Sequence, residues 1–282
     1  MRIGVNTWVW TSPLTDENAP ELLRHIASMG FDAVELPLEQ DGQLTPGVLA
    51  PVLTETGLVP FVVGAMGPGR DLVATETNAV TSTQNYLRAC IDLAAGIGAA
   101  AVCGPFYSAT GRVWRFDDEQ RAALYRQWRE NLAPVVDYAG QRGVQLGIEP
   151  LNRYETSLIN TVDQALSALD GLLGPALGLA LDTYHLNIEE RSSAAAIRRA
   201  GEQLVHVQVC GNDRGAPGGD QTDWPAIFAA LDAVGYTGAV NIESFTADNA
   251  TIATAASIWR PLAATQDELA RSGLAFLREH VS

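Results

Sequence analysis

Residues 27–36 read ASMGFDAVEL, residues 94–103 AAGIGAAAVC and residues 232–243 DAVGYTGAVNIE. Each passes from a helix end, through a glycine suited to a helix C-cap, into a short β-rich run. A unit that recurs in this way is the αβ half of a βα repeat. Working outward, β-rich runs fall at residues 2–8, 33–37, 59–63, 100–103, 145–149, 178–182, 204–209 and 239–243. Amphipathic segments lie between them, among them residues 19–29, 83–95, 119–142, 161–173 and 194–200. Residues 251–280 read as an eighth helix with an extension. Eight alternations without a proline- or glycine-rich linker predict one closed parallel (β/α)₈ barrel domain over residues 1–282, near the typical ~250 residues. An open dinucleotide-binding sheet would want GxGxxG after the first strand, and VNTWVWTSPL, residues 5–14, contains no glycine.

Composition narrows the chemistry. The chain is 47% hydrophobic and only 18% charged, which suits a large core. Apolar runs stay short of the ~18 residues of a membrane span, and MRIGVNTWVW reads as a first strand rather than a signal peptide. The expectation is a soluble cytoplasmic protein with no membrane partner. A net charge of −15 argues against nucleic acid as the main partner. Cys90, Cys103 and Cys210 lie far apart and read as buried free thiols. All 18 basic residues are arginine. Without a lysine, Schiff-base catalysis through a side-chain amine is impossible. There is no GxxxxGK[ST] loop, and no nucleotide cofactor is expected.

The active site of such a barrel lies at the C-terminal ends of its strands. Strand five ends in GIEPLNRYET with Glu149, and strand six in LALDTYHLN with Asp182 and, three residues on, His185. Strand seven carries His206 and Gln208, with Arg214 in the following loop, and strand eight ends in NIESFT with Glu243. One acidic strand end is explained by helix capping alone. Carboxylates converging on one mouth would repel one another unless a cation neutralises them. Oxygen-rich ligation of that kind suits Mn²⁺ or Mg²⁺.

The motifs EPLNRYET, LDTYHLNIEE, CGNDRGAPGG followed by DW, and IESF resemble the sugar isomerase/epimerase superfamily with a xylose-isomerase-like barrel, and within it the D-tagatose/D-allulose 3-epimerases. NTWVW, VELPLE, GPFYSATG and IWRPLA agree, so the resemblance covers essentially the whole chain. It implies one divalent ion, Mn²⁺, Mg²⁺ or Co²⁺, held by Glu149, Asp182, Glu243 and the residue at 208. That residue is histidine in the family and glutamine here, which offers an amide oxygen and favours the harder ions. The resemblance also implies proton exchange at C3 of a ketose by Glu149 and Glu243, with Glu155, His185 and Arg214 on the substrate.

Removing a proton beside a carbonyl gives an enediolate, whose charge a divalent ion stabilises by several kcal/mol. Two carboxylates on opposite faces then give epimerisation. The same site with one carboxylate protonating a leaving group gives elimination, as in related deglycosidases of 3-keto-glycosides. A sugar-binding barrel without metal is the third alternative. His206 shares a strand face with Gln208 but lies deeper, about 6.6 Å at ~3.3 Å per residue, and reads as a supporting or core histidine. Trp10 and Trp114, and less specifically Trp8, Phe106 and Tyr107, are candidates to stack on sugar C–H faces. The glycine-rich residues 211–224 lack the chemistry of a phosphate cradle, which favours an unphosphorylated sugar. The resemblance further implies a homo-oligomer, dimer or tetramer, or a second kind of subunit for a deglycosidase.

Overall fold

The computed structural model describes residues 1–281. Eight strands close in sequence order into an all-parallel barrel. They are β1 (Arg2–Asn6), β2 (Ala33–Leu38), β3 (Val59–Gly64), β4 (Ala101–Gly104), β5 (Gln145–Ile148), β6 (Leu177–Asp182), β7 (Leu204–Val209) and β8 (Ala239–Ile242). Around them lie α1 (Ala19–Met29), α2 (Pro46–Thr56), α3 (Thr77–Ile97), α4 (Asp118–Arg142), α5 (Val162–Ala168), α6 (Thr183–Glu189), α7 (Ser193–Ala200), α8 (Trp224–Ala233), α9 (Ala250–Ala255) and α10 (Gln266–His280). Among the described residues no helix is long and apolar enough to cross a membrane.

The helix–glycine–strand phrases behave as their chemistry requires. Gly30 (φ 97°) and Gly98 (φ 73°) end α1 and α3 in the left-handed region, where a Cβ is penalised. Asp117 opens α4 with a reciprocal capping box to Gln120, which explains a helix that starts sharply after a polar loop.

Several segments depart from the sequence reading, and three of them have a local cause. β1 stops at Asn6, because the Asn6 carboxamide accepts the Trp8 backbone N–H and turns residues Thr7–Val9 into a 3₁₀ turn. Residues 251–280 are not one helix: α9 and α10 are separated by a stretch holding Pro261, which has no N–H to donate, and Ser257 at φ 58°. α5 ends at Ala168, ahead of Gly171 at φ 78°.

The barrel interior is layered. Ala33, Phe61, Ala101, Cys103, Ala180 and Ala239 form an apolar floor whose small side chains leave room for larger ones above. Over it lie Asn6, Glu35, His206, Gln208 and Asn241, all 0–1% exposed. Register sets this layer: Asn6 pairs with Glu35, Asp182 with Gln208, and Gln208 with Asn241. The β6–β7 ladder slips between Leu179 and Ala180, and Gly178 lies just below the slip. A Cβ on Gly178 would come within 2.4 Å of the Gln203 carbonyl oxygen. Gly178→Ala should therefore lower stability by about 1–3 kcal/mol through overpacking, seen as a reduced urea midpoint at unchanged slope.

Candidate active site

The strand ends that looked chemically active converge. Glu149 follows β5, and its backbone N–H continues the ladder to the Gly104 carbonyl at 3.1 Å. Asp182 is the last residue of β6 and also caps α6, Oδ1 accepting the Tyr184 N–H at 2.9 Å. Its second oxygen, Oδ2, is thereby left to the mouth. Glu243 follows β8, fixed by its own N–H on the Val209 carbonyl at 3.0 Å. Glu149, Glu155, His185, Arg214 and Glu243 line one cleft enclosing about 750 Å³ of space open to solvent. Its lining also includes the apolar Trp8, Met66, Phe245 and Ile252.

Arg214 is the cation at the centre. It is 5% exposed, and its Nη1 donates both to Asp182 Oδ2 and to Glu243 Oε2, the latter at 3.0 Å. The guanidinium lies over the Tyr184 ring at 4.0 Å. Burial raises the pKa of Glu149, and raises that of Glu243 well above the carboxylate range. For Glu243 the neighbouring Asp182, Glu149 and Glu35 act in the same direction, against Arg214.

Glu149, Asp182 and His185 each offer one ligand atom, all within 4.8 Å of one another. The hydrogen bonds assign the histidine's part. Asn152 N–H donates to His185 Nδ1 at 3.0 Å, so in the neutral ring Nε2 carries the proton. That N–H faces Glu149 Oε1 at 3.4 Å and is suited to donate rather than to ligate.

Gln208 is equally constrained. Its Nε2 donates to Glu35 Oε2 at 3.0 Å and to Glu243 Oε1 at 2.8 Å, which uses both amide protons and fixes the sense of the amide. Its Oε1 is buried with no hydrogen-bond partner among the described residues. An orphaned amide oxygen on a residue bonded to Glu243 is a hard oxygen donor of the kind a divalent ion accepts.

Glu35 was not among the sequence-derived site residues. It is 0% exposed and holds three partners: Asn6 Nδ2 at 2.7 Å, His206 Nε2 at 2.5 Å and Gln208. A charge in the middle of the otherwise apolar AVELPL was the signal available. His206 lies below the cleft between Glu35 and the Phe61 ring, 4.7 Å away. Neither Trp10 nor Trp114 is among the residues that line this cleft. The Trp10 N–H goes to Asp267, on α10, at 2.9 Å. Trp114 is covered by Arg112 at 4.1 Å and faces a separate groove with Phe116 and Leu124. Of the other aromatics Trp8 does line the cleft, while Phe106 and Tyr107 are fully buried.

The family model of the xylose isomerase-like TIM barrel matches residues 23–280. This chain belongs to that family. Its members include a ketose 3-epimerase of Arthrobacter globiformis, 31% identical over 284 residues that span 100% of this chain and 97% of that protein. A 3-dehydro-D-guloside 4-epimerase of Escherichia coli is 30% identical over 236 residues, 80% of this chain and 87% of that one. The crystal structure of a D-allulose 3-epimerase from Methylomonas sp. in complex with D-allulose superposes with a TM-score of 0.91 at 28% identity, covering 99% of this chain and 97% of that chain. As a family member the chain is an enzyme, a sugar isomerase/epimerase of the ketose 3-epimerase kind.

The Gln208 amide carries a stability prediction. Gln208→Leu leaves Glu243 and Glu35 without a shared donor and should cost roughly 1–3 kcal/mol, read by urea denaturation. Glu243 has its folded pKa above its unfolded one, so the folded state keeps the proton longer and stability falls as pH rises through the folded pKa. The cost of the substitution should accordingly grow as pH rises through the folded pKa of Glu243 and shrink on acidification.

Proposed function

We propose that the protein epimerises unphosphorylated keto-sugars at C3, with Glu149 and Glu243 exchanging the proton. The observation that carries this reading is the arrival of these two buried carboxylates, both with raised pKa, in one cleft from strands separated by β6 and β7. A carboxylate whose pKa is lifted toward neutrality is a stronger base than an exposed one and, once protonated, remains a usable acid. One takes the proton from carbon, leaving an enediolate, and the other returns a proton from its own side. His185 Nε2–H and the Arg214 guanidinium supply donors for sugar oxygens, and Glu155, bonded to Asn152 Nδ2 at 2.7 Å, supplies an acceptor.

Glu149, Asp182, Glu243 and the orphaned Gln208 oxygen are the residues that would hold a divalent ion, Mn²⁺ or Mg²⁺ by its hardness. Such an ion supplies Lewis-acid stabilisation of the developing negative charge when bound. Sugar-bound structures of relatives, such as the D-allulose complex, support a small sugar as the partner.

Glu149→Gln and Glu243→Gln should each reduce kcat for epimerisation of ketohexoses by about 10²–10⁴-fold. Wild-type protein in D₂O should place deuterium at C3, and each variant should lose that exchange. Near-normal turnover in either variant would refute the two-carboxylate assignment. The apolar lining of Trp8, Met66, Phe245 and Ile252 favours a second reading, eliminative cleavage of a 3-keto-glycoside whose aglycone packs there. Release of the aglycone from a 3-keto-glucoside, faster than ketohexose epimerisation, would replace the first reading with the second.

A further inference from the structure

Arg214 occupies a position that its neighbours only partly suit. Its Nη1 touches Asp182 Oδ2 and Glu243 Oε2 together, so the two carboxylates aim their free oxygens at one point. Its Nη2 meets His185 Nε2 at 3.3 Å. Because Asn152 N–H already occupies His185 Nδ1, that contact sets donor against donor. Cys210 Sγ, at 3.7 Å, is a weak acceptor. Charge and the rings of Tyr184, at 4.0 Å, and Phe245, at 5.3 Å, hold the guanidinium here, without a full set of hydrogen-bond acceptors around it.

The backbone beneath it is fixed, although it sits at φ 69°, a left-handed conformation unfavourable for a residue with a Cβ. Arg214 N–H donates to the Gly211 carbonyl at 2.9 Å, and Ser244 Oγ donates to the Arg214 carbonyl at 2.5 Å. The anchored Cα leaves the long, unbranched side chain, with its guanidinium over the Tyr184 ring, as the adjustable part.

We infer that Arg214 is an internal counter-ion that competes with a divalent ion for Asp182 and Glu243. Ion binding would displace its guanidinium from the two carboxylates, freeing it to take a sugar oxygen in the same cleft. The inference rests on the ion-binding reading given above. An ion within bonding distance of those oxygens, about 2.0–2.2 Å, cannot share the lone pairs that Nη1 uses. The consequence is thermodynamic coupling. Arg214 weakens the site for the ion alone and strengthens it for ion plus sugar, and the coupling is reciprocal.

The test is titration of Mn²⁺ alone into chelator-treated protein, followed by the electron-spin resonance of free Mn²⁺, for wild type, Arg214→Met and Arg214→Lys. Methionine keeps a long unbranched apolar side chain and removes the charge. Lysine keeps the charge on one ammonium and loses the planar fork. Arg214→Met should bind Mn²⁺ tighter than wild type by roughly 5–150-fold, and should melt at a lower temperature than wild type when no ion is present. Arg214→Lys should lie between the two in affinity, and it decides the matter if the methionine variant does not fold without ion. Equal or weaker Mn²⁺ affinity in the folded variants would overturn the counter-ion role alone. Failure of all three proteins to bind Mn²⁺ would overturn it together with the ion-binding reading.

Discussion

Four buried carboxylates, Glu35, Glu149, Asp182 and Glu243, share the upper interior of one barrel, and none is more than 5% exposed. Taking a carboxylate out of water costs several kcal/mol unless a counter-charge and hydrogen bonds compensate. The rest of the polar interior answers that constraint. Arg214 neutralises Asp182 and Glu243, His206 pairs with Glu35, and the His185 N–H faces Glu149. Raised pKa values at Glu149 and Glu243 mark incomplete compensation there, and both lie in the cleft.

The fold supplies the convergence without special devices at each residue. A parallel barrel directs the C-terminal ends of all its strands to one rim, so an acidic strand end reaches a common cleft wherever it falls in the sequence. Register then separates functions by depth. Glu35 and His206, within β2 and β7, support the floor, whereas Glu149 and Glu243, just beyond β5 and β8, reach the opening. Gln208 stands between the levels and donates to both.

Much of this was legible because it depends on periodicity and strand ends. Each predicted strand matches one in the barrel to within two residues at either end, and Glu149, Glu155, His185, Arg214 and Glu243 line one cleft. What was not legible depends on partners distant in sequence. Glu35 meets His206 across 171 positions, and no local pattern announces that contact. Trp10 is drawn away by Asp267, 257 positions on, and the hydrogen bond that decides its place belongs to the packing of α10. The helix after β6 was hidden because Asp182 serves as strand end and N-cap at once, which brings His185 into the first turn of α6.

The glutamine at position 208 is better understood by its nitrogen than by its oxygen. A neutral imidazole carries one N–H, so a histidine that ligated an ion through one ring nitrogen could donate to only one of Glu35 and Glu243. The carboxamide donates to both and still has an oxygen to spare. Exchange of histidine for glutamine therefore gives up a nitrogen ligand but ties Glu243 to the buried Glu35–His206 pair. The carboxamide thus links the carboxylate at the end of β8 to the buried pair beneath it, and leaves its own oxygen unpartnered among the described residues.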